Sequence, residues 1–373
     1  MSVADFPIAP LSSWFPSGSR IPLISGPCSA ETREQVLVSA KELAAGEHVS
    51  FMRAGVWKPR TRPNAFEGSG AIALEWLAEA KHIYKLPFAV EVANAEHVAL
   101  AIEAGADLLW IGARTTVNPF SVQEIADALV GLDLPVMVKN PINPDINLWI
   151  GALERLHRAG IRKLAAIHRG FSALDAQPYR NSPRWEIAVQ LKTGFPQLPL
   201  FCDPSHIAGK RSLVLEVAQN ALDLAMDGLM IEAHPSPHEA WSDASQQLNF
   251  SELNALMNTL QPRQTTSEDL DFNNKLHQLR RVIDSIDIEL LQLLAKRLEI
   301  IQDIGVYKQE NNVTFFQPER WQEILQSRSR TATELGLDRG FIKRLMAEVH
   351  KEGLIIQARV IDRETSAFND DSK

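Results

Sequence analysis

The sequence predicts a (β/α)8 barrel followed by a small all-α bundle. Eight short, continuous apolar runs punctuate residues 1–261, and leucines and isoleucines then recur at helical spacing through one long unbroken stretch. Nineteen of the 21 prolines and 15 of the 19 glycines lie before residue 262, so the breakers of regular structure belong almost entirely to the first part.

The eight runs are 21–28, 49–56, 87–93, 107–113, 135–141, 163–170, 199–206 and 228–235. Each is continuous rather than alternating, as strands buried on both faces read, and each leaves enough chain behind it for a crossover helix. Eight such units in about 250 residues fit a closed parallel barrel. An open doubly wound sheet is the rival, but no run is followed by GxGxxG.

Beyond the barrel, Gln261–Asp271 (QPRQTTSEDLD) is polar and apolar-poor, as a linker is. Leu276, Leu279, Ile283, Ile286, Leu290 and Leu293 then recur at alternating spacings of three and four, with no Pro or Gly between Asp271 and Gly305. One helix of about 35–40 residues is expected, well above the globular average. Segments 317–330, with Pro318 near its start, and 338–361 are the second and third helices. The expected organisation is a barrel over 1–261, a linker over 262–271, a helical domain over 272–365 and a polar, frayed tail over 366–373.

Composition narrows the function. No apolar run is long enough to span a membrane, and the N-terminus (MSVADFPIAP) lacks the basic and apolar regions of a signal peptide. Cys28 and Cys202 alone make a poor disulfide framework, so a reducing, cytoplasmic setting is expected. A net charge of −8 argues against nucleic acid or an anionic membrane as partner. At first sight it also argues against anionic substrates.

The strand ends reverse that impression. Barrel chemistry sits where strands finish, and those positions hold Cys28, Arg53, Lys58, Glu91, Arg114, Lys139, His168, Arg169, Asp203, His206, Glu232 and His234. Arg53, Lys58, Arg60, Arg114, Lys139 and Arg169 would crowd one mouth, where like charges repel unless an anion neutralises them. Cys28, His206, Glu232 and Asp243 offer sulfur, nitrogen and oxygen donors, a mixture suited to Mn, Fe, Co or Zn rather than Mg or Ca. A lone Cys is, however, more often a small buried hydrophobe.

SGPCS (Ser25–Ser29), RAGVWKPRT (Arg53–Thr61), IGARTT (Ile111–Thr116), VKNP (Val138–Pro141), HRG (His168–Gly170), DPSH (Asp203–His206) and IEAHPSP (Ile231–Pro237) together resemble 3-deoxy-D-arabino-heptulosonate 7-phosphate (DAHP) synthase in its shorter, Iβ-like form. The resemblance covers about residues 20–248. It implies condensation of phosphoenolpyruvate with erythrose 4-phosphate, the first step of the shikimate pathway. It places divalent metal ligands on Cys28, His206, Glu232 and Asp243 and phosphoenolpyruvate contacts on Arg53, Lys58, Arg114, Lys139 and Arg169, and it calls for no organic cofactor. Pro59, Arg60 and Thr61 would hold erythrose 4-phosphate. Lys58 is expected to donate a proton or hold phosphate, and Glu91 to orient water. His168 is a substrate contact or a strand-end hydrogen-bonding group; His234 is expected behind the ligands.

The helical part, through LRRVIDSIDIELLQLLAKR (279–297), IGVYK (304–308) and FFQPER (315–320), resembles the all-helical type II chorismate mutases. That implies rearrangement of chorismate, a dianion, to prephenate, with site positions at Arg280, Arg297, Lys308, Arg320 and Gln357. Helix geometry agrees in part: Arg297 and Lys308 lie 11 residues apart, about 20° from one face and about 16 Å along the axis. Arg280, about 25 Å before Arg297 on another face, fits a partner's site better than its own, so a homodimer through the helical domain is expected. Trp321, Gln317 and Gly353 depart from the family pattern and point to a weak mutase.

The expectation is thus a bifunctional enzyme, with prephenate as a feedback signal read by the helical domain. The alternatives are a related phosphoenolpyruvate–sugar synthase, such as one making 3-deoxy-D-manno-octulosonate 8-phosphate, and a helical domain that senses and dimerises without turnover. KPRT favours erythrose 4-phosphate.

Overall fold

The computed structural model describes residues 6–16, 20–58, 66–173, 176–264 and 266–370, with side chains described to residue 359. The chain divides into two compact units, Met1–Thr265 and Thr266–Lys373.

The first unit is a closed barrel of eight parallel strands in sequential order. They are β1 (Leu23–Gly26), β2 (Phe51–Arg53), β3 (Phe88–Val92), β4 (Leu108–Ile111), β5 (Val136–Lys139), β6 (Leu164–His168), β7 (Leu200–Cys202) and β8 (Gly228–Glu232), and each lies inside its apolar run. Closure is made by β1 against β8, with Leu23 opposite Leu229 and Gly26 opposite Glu232. The helices of this unit are α1 (Arg33–Ala45), α2 (Ala71–Tyr84), α3 (Ala95–Glu103), α4 (Ala113–Thr116), α5 (Pro119–Ala128), α6 (Ile146–Arg158), α7 (Trp185–Gly194), α8 (Pro204–Ala208), α9 (Val214–Asp223) and α10 (Phe250–Thr259). Side-chain caps start several of them: Asn118 and Asp145 each accept two first-turn amides, and Asn249 forms a capping box with Glu252.

Two cores follow from the alternation of side chains along each strand. Leu164 and Ala166 join the layer between strands and helices, whereas Ala165 and Ile167 pack with Ile24, Phe51, Leu108, Trp110, Met137, Phe201 and Met230 inside the barrel. Carried two residues onward, the same parity turns Arg53, Glu91, Gly112, Lys139, Arg169, Asp203 and Glu232 inward at the strand tops. It turns His168 outward.

The opposite end is plugged. Phe15 packs with the inner core, its ring centroid 5.1 Å from that of Phe51 and 5.4 Å from that of Phe201, and Leu11 and Trp14 lie against the same cluster.

The second unit consists of α11 (Leu270–Glu310), α12 (Pro318–Glu334) and α13 (Arg339–Asp370), with α13 packed against both others. At 41 residues, α11 is roughly 60 Å long. The backbone of α13 runs helical to Asp370, past residue 365 where a frayed tail is expected. The polar residues there include no Pro or Gly to end it. Among the described residues, no helix is long and apolar enough to cross a membrane.

Phe15→Ala should destabilise the barrel by about 3–5 kcal/mol, because an aromatic ring filling a closed core is lost without a replacement. Urea titration of the barrel's unfolding transition checks this; a midpoint unchanged from wild type would show that the plug carries no stability.

Candidate active sites

At the barrel mouth, atoms of Cys28, Glu232 and Asp243 all lie within 4.8 Å of one another. Lys58 Nζ donates to Cys28 Sγ at 3.0 Å, and the thiol reaches Asp243 Oδ2 at 3.3 Å. Burial, reinforced by the Glu232 carboxylate, pushes the Cys28 thiol up to about 12. The side chain is therefore a protonated thiol unless a cation stabilises the thiolate.

DPSH builds the next wall. Asp203 caps the short α8, accepting the His206 amide at 3.1 Å, and Ser205 Oγ accepts the Glu232 amide at 2.9 Å. Asp203 also takes Lys139 Nζ at 2.7 Å and lies 2.8 Å from His206 Nδ1. Burial works against the Asp203 carboxylate, but His206 and Lys139 outweigh it and hold the group well below the usual range. Burial also outweighs the neighbouring carboxylates at His206 and keeps its pKa below the ordinary value, so the imidazole is neutral near pH 7. Nδ1 sits beside Asp203 without hydrogen-bond geometry, and Nε2 lies 3.8 Å from Glu232 Oε1. Glu232 Oε1 is buried and has no hydrogen-bond partner.

This donor set fits a divalent ion. A thiol, a neutral imidazole and two carboxylates make a mixed site of the kind transition metals occupy. His206 stands at the edge of the Cys28–Glu232–Asp243 triangle. Asp243 itself has φ 48, a left-handed conformation uncommon for a residue other than glycine.

Beside this cluster lies a cavity of about 320 Å3, lined among others by Lys58, Glu91, Arg114, Lys139, Arg169, Arg180, His206 and Asp243. Burial draws Arg169 down to about 10, with Asp203 opposing and the cations Arg180 and Arg114 assisting. It remains charged at neutral pH, so the cavity suits a compact anion with more than one negative group.

Arg53 does not line the cavity; it is buried beside it, with Nη2 3.2 Å from Glu232 Oε1 and Cζ 5.1 Å from the Trp110 ring centroid. Its Nε and Nη1 have no hydrogen-bond partner, so it keeps donors to spare. His168 is no part of the cavity. Fully buried near Trp149, Phe171 and Trp185, with its pKa pushed down to about 3 by burial, it is a neutral packing residue. Its outward strand parity is the reason. Pro59, Arg60 and Thr61 lie outside the described residues.

Sequence reasoning missed the supports of the cluster. Arg180 donates to Asp243 Oδ1 at 2.9 Å and to Gln246 Oε1 at 2.7 Å, and Gln246 Nε2 donates to Glu232 Oε2 at 2.6 Å. Gln247 Oε1 accepts the Cys28 amide at 2.9 Å. Asn181 Oδ1 accepts from Arg169 Nη1 at 2.8 Å. The signal was the polar loops QPYRNSP and DASQQ, which follow β6 and β8 on the functional face. His234 sits 3.5 Å from Glu31 and accepts the Ser236 amide, away from the ligand triangle.

The helical unit has its own cavity, of about 460 Å3. Arg297, Lys308, Arg320 and Gln357 all line it, and Arg280 does not. Lys296, Arg328 and His350 join them, and no carboxylate is among the lining residues. Burial and the nearby Arg328 lower the Arg297 pKa, and burial lowers that of Lys308. Arg297 Nη1 and Gln357 Oε1 are buried without hydrogen-bond partners. Gly305 lets Gln357 approach: a Cβ there would stand 3.1 Å from Gln357 Cγ. The three departures, Gln317, Trp321 and Gly353, also line the cavity, with Trp321 stacked on His350 at 4.2 Å.

Comparison with known proteins agrees with this division. Residues 15–268 match the model of the DAHP synthetase I family, and residues 279–358 match that of chorismate mutase type II. A phospho-2-dehydro-3-deoxyheptonate aldolase of Thermotoga maritima is 31% identical over 228 residues, 61% of this chain and 65% of the relative. The T-protein of Haemophilus influenzae is 35% identical over 83 residues, 22% of each chain. A 2-dehydro-3-deoxyphosphooctonate aldolase of Nitratidesulfovibrio vulgaris is 25% identical over 256 residues, 64% of this chain and 90% of the relative. The chain thus spans just under two thirds of the Thermotoga relative's length and about a fifth of the T-protein's. The crystal structure of the Thermotoga maritima DAHP synthase superposes with a TM-score of 0.59 at 30% identity, covering 65% of this chain and 69% of that one. The chain belongs to the DAHP synthetase I family and carries a type II chorismate mutase domain C-terminal to its barrel in the sequence.

Proposed function

We propose that the barrel condenses phosphoenolpyruvate with erythrose 4-phosphate to DAHP and phosphate, and that the helical unit rearranges chorismate to prephenate. The observation that carries the first half is the convergence of Lys58, Arg114, Lys139, Arg169 and Arg180 on one cavity beside the Cys28–Glu232–Asp243 cluster.

Phosphoenolpyruvate brings a phosphate and a carboxylate, and fixed cations are needed to desolvate and orient both. Arg114, Arg169, Arg180 and Lys139 serve that purpose, and Arg53 supplies unmet donors beside the cavity. Cys28, His206, Glu232 and Asp243 would hold the metal, with Mn, Fe, Co or Zn matching the donors. When bound, a divalent ion supplies Lewis acidity toward the aldehyde oxygen. Lys58, adjacent to Cys28, is placed to give a proton to that oxygen as C3 of phosphoenolpyruvate attacks C1. Glu91 lines the same cavity and orients the water that adds at C2 before phosphate departs with C–O cleavage. The octulosonate-type relatives favour a second reading, in which the aldehyde is a five-carbon aldose phosphate and the product has eight carbons.

In the helical unit, Arg297, Lys308 and Arg320 bind the two carboxylates of chorismate, with Arg328 as a further cation, and Gln357 faces the ether oxygen. No nucleophile is needed, because the rearrangement asks only for charge complementarity to the transition state. Arg280 completes the site of a partner copy. Support comes from the apolar stripe Leu279, Val282, Ile283, Ile286, Leu290 and Leu293, whose members are 50–65% exposed and would be covered in a homodimer.

EDTA should abolish condensation, with Mn, Co, Zn or Fe restoring it and mutase turnover unaffected; full condensation in EDTA would contradict the metal assignment. Gln246→Ala should weaken metal binding by about 10–100-fold, as loss of a ligand's support does. Chelator competition measures this, and wild-type affinity would remove Gln246 from that role. Arg280→Ala and Arg297→Ala should each lower mutase kcat/KM by about 100-fold or more. Re-equilibrated equal mixtures of the two should recover about a quarter of wild-type activity, because half the dimers regain one of two sites. Absence of recovery would contradict shared sites.

A further inference from the structure

We propose that Trp110 and Gly112 are positioning residues of the condensation site, forming a cradle that fixes the Glu91 carboxylate while the Trp110 ring carries two of the site's cations. The inference deepens the reading of the barrel given above and rests on it.

Trp110 lies on β4, turned inward and wholly buried beneath the mouth. Its indole N–H donates to Glu91 Oε2 at 3.0 Å. The ring itself lies 5.1 Å from Arg53 Cζ and 5.8 Å from Lys139 Nζ, both within cation–π range. One side chain therefore touches the group assigned to water and two of the cations assigned to the anion. A buried core aromatic needs a partner for its N–H, but a backbone carbonyl would serve. Here that partner is a residue lining the cavity.

Gly112, two residues on and of the same inward parity, provides the other wall. A Cβ built there would stand 2.0 Å from Glu91 Oε1 and 2.7 Å from its carboxyl carbon. The backbone at Gly112 has φ −73 and ψ 157, which any residue adopts. Space for the Glu91 carboxylate, and not backbone freedom, is what demands glycine. The first residues of IGARTT thus acquire a physical role: Gly112 leaves room for the carboxylate and starts α4, which carries Arg114 into the cavity.

The two roles of Trp110 separate by substitution in the full chain. Trp110→Phe keeps a ring face but removes the N–H, and Gly112→Ala fills the carboxylate's space. Both should lower condensation kcat by about 10–100-fold, as loss of positioning at a reacting group does, with KM for phosphoenolpyruvate within about twofold of wild type. Trp110→Leu removes the ring as well and should also raise that KM about five- to tenfold. On a Glu91→Ala background, Trp110→Phe and Gly112→Ala should lower kcat no further, which a merely structural role would not produce. Melting temperatures of all variants serve as the folding control, and Gly112→Ala covers the case in which Trp110 variants fold poorly. Wild-type kcat in Gly112→Ala, or additive losses on the Glu91→Ala background, would overturn the inference while leaving the barrel's activity standing. A wild-type chain without condensation activity would instead overturn the reading of the mouth, and the cradle with it.

Discussion

Everything at the barrel mouth depends on carboxylates buried at the ends of β7 and β8. Asp203 and Glu232 are fully buried, and Asp243 is partly buried. An ionised carboxylate in such a place costs several kcal/mol unless it is paired. Lys139 answers Asp203, Arg53 answers Glu232, and Arg180 answers Asp243. The pairing keeps all three acids ionised despite burial, which pushes the other way. The same pairing anchors the cations that face the cavity. Acid and base here form one lattice, so the candidate metal donors and the cations of the cavity are fixed by each other.

The helical unit solves a similar problem in the opposite manner. Its cavity gathers Lys296, Arg297, Lys308, Arg320 and Arg328 with no carboxylate among the lining residues. Burial destabilises Arg297 and Lys308 as cations, with Arg328 adding to the effect at Arg297, and Arg297 is left with a buried donor unmet. In the barrel the protein neutralises its own charges. In the bundle the proposed dianionic substrate would do so. The acidic surplus of the sequence therefore says little about substrates: it is spread over the surface, whereas both cavities are lined with Arg and Lys.

Much of this was legible in the sequence. Eight continuous apolar runs located all eight strands, and spacing alone put Arg297 and Lys308 on one face of α11 and left Arg280 elsewhere. Two kinds of information were not available. A strand buried on both faces hides its alternation, so nothing in KLAAIHRG distinguishes inward Arg169 from outward His168, and the sequence leaves the histidine open between a substrate contact and a strand-end group. Loops obey no period at all, so Arg180, Asn181, Gln246 and Gln247 could be placed only once the turns after β6 and β8 were folded. Likewise, the purpose of Trp110, which reads as one more core aromatic in DLLWIGA, emerges only from what its N–H and ring face meet.

The proposed pairing of a condensing barrel with a rearranging bundle rests most heavily on the barrel's choice of aldehyde, since the relatives include both heptonate and octonate aldolases. The most direct measurement is mass analysis of the products formed by the full chain from phosphoenolpyruvate with erythrose 4-phosphate and a five-carbon aldose phosphate supplied together. A seven-carbon keto-sugar phosphate as the main product is the predicted result. An eight-carbon product in its place, or release of phosphate with no condensation, would contradict it.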